Sequence, residues 1–246
     1  MKNSYAFFDV DGTLLRLKSM FSFHHFWYRQ WQGVNGNARS EEYEDVTAIL
    51  RSLNDSGTSR ELINRRFYEF FSGRSVEQVN QCASAWARGI LANPDNFVDE
   101  VISELNALCA KGVQPVFVSG SFVEVLAPVA NHLNVSHILA TRLLHDGGKY
   151  TGRLQPPQTI GLGKALAINE FLAQHSASPE DCWAFGDDLS DVPMLQTVGH
   201  PVAVIGDSAL AATAMEQGWR CLHISALQDQ LMRNENHGAL LCENEQ

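Results

Sequence analysis

A chain of 246 residues is long enough for one large α/β domain, or for a core domain that carries a smaller insert. Its formal net charge of −10 excludes a nucleic-acid backbone as the main partner, because that would need a clustered excess of Lys and Arg. Hydrophobic residues make up 45%, yet no apolar run approaches the roughly 20 residues of a membrane span, and the five cysteines lack any C-x-x-C spacing, so neither a span, a zinc site nor a disulfide framework is indicated. The apolar stretch at 5–8 is too short for a signal peptide, and a cytoplasmic location is expected.

The first predicted strand, Tyr5-Ala6-Phe7-Phe8, runs into two carboxylates, Asp9 and Asp11, with Gly12 able to turn the chain sharply. Two charges so close, where a buried parallel strand opens into a crevice, are costly unless a cation or a shared proton compensates them. The plain alternative is a surface Asp-Gly turn. Helical spacing follows: Leu17, Met20, Phe21, Phe23, Phe26, Trp27 and Trp31 predict a helix over 17–32 with a core-facing stripe, and 33–37 reads as a loop. Further helices are predicted over 41–53, over 61–71 after a Thr58 or Ser59 cap, and from the Ser75-Val76-Glu77-Gln78 capping box to Asn93-Pro94. With no strand among them, these helices predict a helical subdomain at 16–94 inserted behind the first strand.

From Asp95 onward helix and strand alternate. A helix through Val98, Val101, Ile102, Leu105 and Leu108 precedes the strand Pro115–Val118, which enters Ser119-Gly120-Ser121. A helix at 122–133, a short strand at 137–140 and a hairpin turned by Asp146-Gly147-Gly148 come next. Lys164 opens a helix over 163–174, and the strand Cys182–Phe185 delivers Gly186-Asp187-Asp188-Leu189-Ser190-Asp191. A strand at 202–205, a helix at 208–217 and a short strand at 220–222 complete the pattern, while 224–246 carries no assignable one. Residues 1–15 and 95–223 are thus expected to form a doubly wound, mostly parallel Rossmann-like α/β sheet. Working sites in such sheets lie beyond the carboxyl ends of the strands, where Asp9 with Asp11, Ser119, and Asp187 with Asp188 would converge.

Several carboxylates in one crevice call for a hard divalent cation with oxygen ligands, and Mg2+ is most useful on phosphoryl oxygens. The Ser119 hydroxyl, the N–H groups around Gly120 and the Lys164 ammonium would supply donors for a phosphate. Asp9 is placed to attack phosphorus, and Asp11 to protonate the leaving oxygen and then activate water. Singly, each feature has an ordinary reading: a solvated lysine, a Ser-Gly turn, acidic residues at a helix start. Their joint order at successive strand ends favours the chemistry.

Through Phe8-Asp9-Val10-Asp11-Gly12-Thr13-Leu14, Val118-Ser119-Gly120-Ser121, Lys164 and Gly186-Asp187-Asp188-Leu189-Ser190-Asp191, the sequence resembles the haloacid dehalogenase (HAD) superfamily. It is most similar to the phosphoserine-phosphatase-like branch (subfamily IB), which has a helical C1-type cap after the first motif, and its hairpin from Asp146 to Leu154 is similar to that branch too. The resemblance implies a Mg2+-dependent phosphatase for a small-molecule phosphomonoester. Asp9 would be nucleophile and metal ligand, Asp11 acid/base and metal ligand through its carbonyl, Ser119, Gly120 and Lys164 the phosphate site, Asp187 a metal ligand and Asp191 its support. Two positions depart from the branch: Ser190 stands where Asn is usual, and Lys18 stands about where a glutamate meets the substrate ammonium. A cation at Lys18 disfavours an amino-group ligand, so phosphoserine is not the expected substrate. Lys18 and Arg66 are the candidate substrate contacts from the cap, with His24, His25 and Arg65 behind them. A phosphotransferase on the same site, or a non-catalytic binding protein that keeps the fold, are the competing readings. The oligomeric state has no signature in the sequence.

Overall fold

A computed structural model describes residues 3–30, 39–206 and 209–224. Trp31, the loop expected at 33–37 and the chain beyond 224 lie outside the described residues.

The centre of the molecule is β1 (Tyr5–Phe8), whose four residues are all buried. It pairs in parallel with β2 (Gln114–Phe122) on one side and β5 (Trp183–Gly186) on the other. β3 (His137–Asp146) joins β2 in parallel and folds back as the antiparallel partner β4 (Lys149–Gln155), while β6 (His200–Ile205) and β7 (Arg220–His223) extend the opposite edge in parallel. The order is therefore β4-β3-β2-β1-β5-β6-β7, and the winding reverses at β1. That places the ends of β1, β2 and β5 side by side at the crevice of a doubly wound sheet.

Alternation along β1 separates two apolar layers. Phe8 stacks on Phe185 and joins the layer covered by α5 (Asp99–Ala110) and α6 (Val123–His132). Tyr5 and Phe7 face the other layer, under α7 (Leu162–Gln174), the one-turn α8 (Val192–Leu195) and α9 (Leu210–Gln217). Among the described residues no helix is long and apolar enough to cross a membrane.

Between β1 and α5 lie α1 (Ser19–His25), a π-helical turn at Phe26–Gln30, α2 (Arg39–Asp55), α3 (Arg60–Glu69) and α4 (Val76–Leu91). Ser59 and Ser75 accept from the third N–H of α3 and α4, as the sequence pattern predicts. Among the described residues the helical insert shares one core with the sheet. Phe23, fully buried, has the rings of Trp27, Phe71, Trp86 and Phe122 within 6.4 Å, and Phe122 is a residue of the sheet. The aromatic stripe splits by helix phase: Met20, Phe23 and Trp27 are buried, whereas Phe21 is 47% exposed.

Three elements differ from the sequence reading. β3 is one strand where a short strand and a separate hairpin arm are predicted; its hairpin is held by the α3–α4 connection, through Gly73 N–H to Tyr150 O, Tyr150 N–H to Arg74 O and Val76 N–H to Gly148 O. β2 runs on past Val118 to Phe122, with a slip in register between Ser119 and Phe122. The helix expected after Asp191 is a single turn preceded by a 3-10 turn at Leu189–Asp191.

Because Phe23 joins the insert to the sheet, Phe23→Ala is expected to lower the stability of the whole chain by about 3–5 kcal/mol in a single urea transition. A separate early transition for the insert would contradict the shared core.

Candidate active site

Asp9 continues the β1 ladder by donating its N–H to Phe185 O at 2.9 Å, so its side chain leaves the sheet at the crevice. The chain then turns so tightly that Leu14 and Leu15 both donate to Val10 O. Gly12 has φ of +102°, and a Cβ there would lie 2.3 Å from Asp187 Oδ2, so only glycine lets this turn pass the loop that follows β5. Thr13 Oγ1 donates to Asp187 Oδ1 at 2.9 Å across the two loops.

The loop after β5 is self-capped. Asp188 accepts from Ser190 N–H at 2.9 Å, and Asp191 Oδ2 accepts from the N–H groups of Asp187 and Asp188 at 3.2 Å each. Lys164, buried in the first turn of α7, donates to Asp9 Oδ1 and to Asp191 Oδ1, both at 2.6 Å. Asp9, Asp187 and Asp191 each bring a carboxylate oxygen within 4.8 Å of the others.

The Asp11 carboxylate is not part of that group of three. Its carbonyl accepts from Lys18 Nζ at 2.6 Å, and the same ammonium lies 3.9 Å from Asp187 Oδ2. Ser119 Oγ accepts from Ser121 N–H at 3.0 Å. A cavity of about 240 Å³ joins Asp9, Asp11, Lys18, Ser119, Gly120, Lys164 and Asp191, and its mouth is formed by Met20, Phe21, Asn54, Arg60, Ile63 and Ile160.

Burial governs the acid strengths here. It raises Asp9 above the ordinary 3.8 against the pull of Lys164, raises Asp187 against Lys18, and raises Asp191 against Lys164. Burial lifts Asp11 to about 6, opposed chiefly by Lys18. Both lysines are held above 10.5 despite burial, Lys164 by Asp191 and Asp9, Lys18 by Asp187, Asp9 and Asp11. In Asp188 burial is outweighed by the bonds from Ser190 and by Arg60, and its carboxyl falls below the usual range.

The buried carboxylates outnumber their two lysines. Oxygen donors that share one small volume with an excess of negative charge fit a hard divalent cation, and no soft donor competes among them.

Of the residues expected to act together, Asp9, Asp11, Lys18, Ser119, Gly120, Lys164, Asp187 and Asp191 do converge on this crevice. Arg66 does not. It pairs with Glu69 and lies 5.0 Å over the Phe70 ring, outside the cavity. His24 is packed among Tyr28, Tyr43 and Phe67, with its pKa lowered to about 4 by burial, and Arg65 bonds Gln158. The sequence reading missed Arg60, whose guanidinium pairs with Asp188 across the mouth, and Asn64, which donates to Gly120 O at 3.0 Å. The Ser59 cap, which places Arg60 at the first position of α3, was the available signal for Arg60.

Comparison with known proteins agrees with this architecture. A protein of Mycobacterium tuberculosis (strain ATCC 25618 / H37Rv) named a probable phosphatase is 30% identical over 221 residues, covering 89% of this chain and 75% of its own. A phosphoserine phosphatase of the same strain is 30% identical over 230 residues, covering 87% and 68%. The fold is similar to that of a Bordetella pertussis Tohama I protein of unknown function, with a TM-score of 0.77 at 22% identity over 90% of this chain and 99% of that one. It is also similar to a phosphoserine phosphatase solved as a phospho-aspartyl intermediate analogue, with a TM-score of 0.60 at 17% identity over 92% and 95%. Residues 6–196, which hold the whole carboxylate and lysine arrangement, match the family of haloacid dehalogenase-like hydrolases, and the chain belongs to that family.

Proposed function

We propose that the protein is a Mg2+-dependent phosphatase that hydrolyses a small-molecule phosphomonoester through an aspartyl phosphate on Asp9. The observation that carries this reading is the division of labour between two carboxyl groups at one strand end. Asp9 is held by Lys164 through Oδ1, which leaves Oδ2 for attack on phosphorus. Asp11, two residues on and free of Lys164, has a pKa near 6, suited to giving a proton to the leaving oxygen and then taking one from water. Relatives named as phosphatases support the same reading.

Ser119 and Lys164 would hold the phosphoryl oxygens. Mg2+, held by Asp9, Asp187 and Asp191 with the Asp11 carbonyl, would draw charge from the phosphoryl group as it transfers. The Asp11 carbonyl has a second lone pair for that role beside its bond from Lys18. Lys18 also brings positive charge to the cavity, which would repel a substrate amino group, and the substrate is read as other than phosphoserine.

Two measurements test the proposal. With a generic aryl phosphate, Asp9→Asn is expected to reduce turnover by at least about a thousandfold, and chelation of Mg2+ to do the same; unimpaired turnover by the variant sinks the mechanism. The second reads binding without activity. Folded-state values for Asp9, Asp11, Asp187 and Asp191 lie above 3.8, with Asp11 near 6. The metal-free protein therefore takes up protons between about pH 6 and pH 4, and loses that stability as pH rises through the window. Mg2+ needs the carboxylates deprotonated, so its rise in unfolding temperature should be larger at about pH 7.5 than at about pH 5. Equal rises at both would count against these ligands.

A further inference from the structure

Where β2 slips against β3, the Gly120 carbonyl leaves the ladder: Ser119 is opposite Ala140, and the next paired residue, Phe122, is opposite Thr141. A carbonyl that leaves its ladder at the edge of the core needs partners, and three side chains supply them. Asn64 Nδ2 donates at 3.0 Å, Tyr68 Oη at 2.9 Å and Thr141 Oγ1 at 3.0 Å. Three donors on an oxygen with two lone pairs leave it almost no freedom. Two of them, Asn64 and Tyr68, are one turn apart on the same face of α3, the helix of the insert, and all three are buried.

The donors are themselves fixed. Gln158 Nε2 donates to Asn64 Oδ1 at 2.7 Å and to Glu61 O at 2.8 Å, which sets the amide with its nitrogen towards Gly120. Burial and then the Asp11 carboxylate push the Tyr68 phenol well above 10.0, so it remains a donor.

A trans peptide is planar, with C=O and N–H on opposite edges. Clamping Gly120 O therefore orients the N–H of Ser121, and that N–H donates to Ser119 Oγ at 3.0 Å. The Ser119 hydroxyl, buried and lining the cavity, has one lone pair taken and its own proton left to give. We propose that Asn64, Tyr68 and Thr141 are positioning residues for Ser119, acting through the Gly120–Ser121 peptide, so that the insert's α3 builds part of the phosphate grip. The inference rests on the phosphatase reading, in which Ser119 donates to a phosphoryl oxygen. It gives the insert a role in the chemistry beyond covering the mouth.

A double-mutant cycle tests it, with orthophosphate as the ligand and calorimetry in Mg2+-containing buffer as the readout. Tyr68→Phe removes only a hydroxyl, and should weaken orthophosphate binding roughly three- to tenfold, the span of one hydrogen bond. In a Ser119→Ala background it should weaken binding no further, because the relay has lost its end. Thr141→Val should behave in the same way, and serves if Tyr68→Phe does not fold. A purely structural role predicts a lower unfolding temperature and the same binding loss, or none, in both backgrounds, and either outcome overturns the relay. If the wild type binds orthophosphate, Lys164→Ala abolishes it and neither variant changes it, the relay fails while the phosphatase reading stands. A wild type that binds no orthophosphate overturns both.

Discussion

The carboxyl edge of the sheet depends on one ammonium shared between two buried carboxylates. Lys164 reaches Asp9 on the β1 end and Asp191 on the loop after β5, and each bond is 2.6 Å. A carboxylate removed from water without such a partner costs several kcal/mol, and a truncated partner leaves that cost uncompensated. The ion triad thus requires α7 to begin where it does, with its first turn against the ends of two neighbouring strands. It also sets the charge balance of the crevice. Lys164 offsets part of the charge of Asp9, Asp187 and Asp191; burial above all raises their proton affinity, and the negative charge left over suits a divalent cation.

Two glycines are the backbone counterpart of that triad. A Cβ on Gly12 would fall on Asp187, and a Cβ on Gly186 would fall 2.6 Å from Asp191 Cβ. Adjacent parallel strands lie only about 4.8 Å apart, so two loops leaving them can both carry inward carboxylates only if one backbone has no side chain at the crossing. Gly120 is different. A Cβ there would meet Asn64, Ile160 and Thr159 at 3.6 Å, which is ordinary contact, and its φ is not in the left-handed region. What distinguishes Gly120 is its carbonyl, the point at which α3 holds the Ser119 loop.

These contrasts explain which features were legible in the sequence. Asp9, Asp11 and Asp187 could be read because acids at the ends of buried strands contradict their local setting, and a contradiction repeated on several strands points to one crevice. The insert's helices could be read because Ser59 and Ser75 announce their starts. The length of β3 could not, because its second half is exposed apart from Leu143 and is held by antiparallel pairing with β4, whose start is tied to the α3–α4 connection, rather than by any pattern of its own. Arg66 shows the limit for side chains. It sits two residues after Asn64, so about 200° further around the helix, and faces away from the cavity that Asn64 faces. Arg60, four residues before Asn64 and therefore on the same face, is the α3 cation that lines the cavity.

Residues 14–25 contain no acid, and their placement shows what lines the cavity instead. Lys18 turns inward to the Asp11 carbonyl and Asp187, and Arg60 at the mouth is paired with Asp188, so both cations already have partners. The remaining mouth surface is largely apolar: Met20 and Phe21 from α1, Ile63 from α3 and Ile160 from the segment before α7. Apolar walls discriminate among organic groups by shape, at roughly 1–3 kcal/mol per methylene, far less sharply than a buried ion pair would. Three of those walls belong to the insert, and α3 also presents Asn64 to the Gly120 carbonyl one residue after Ile63. The surface that would meet the variable part of a substrate and the clamp on the Gly120 carbonyl are therefore neighbouring positions of one helix, and a change in how that helix seats must alter both.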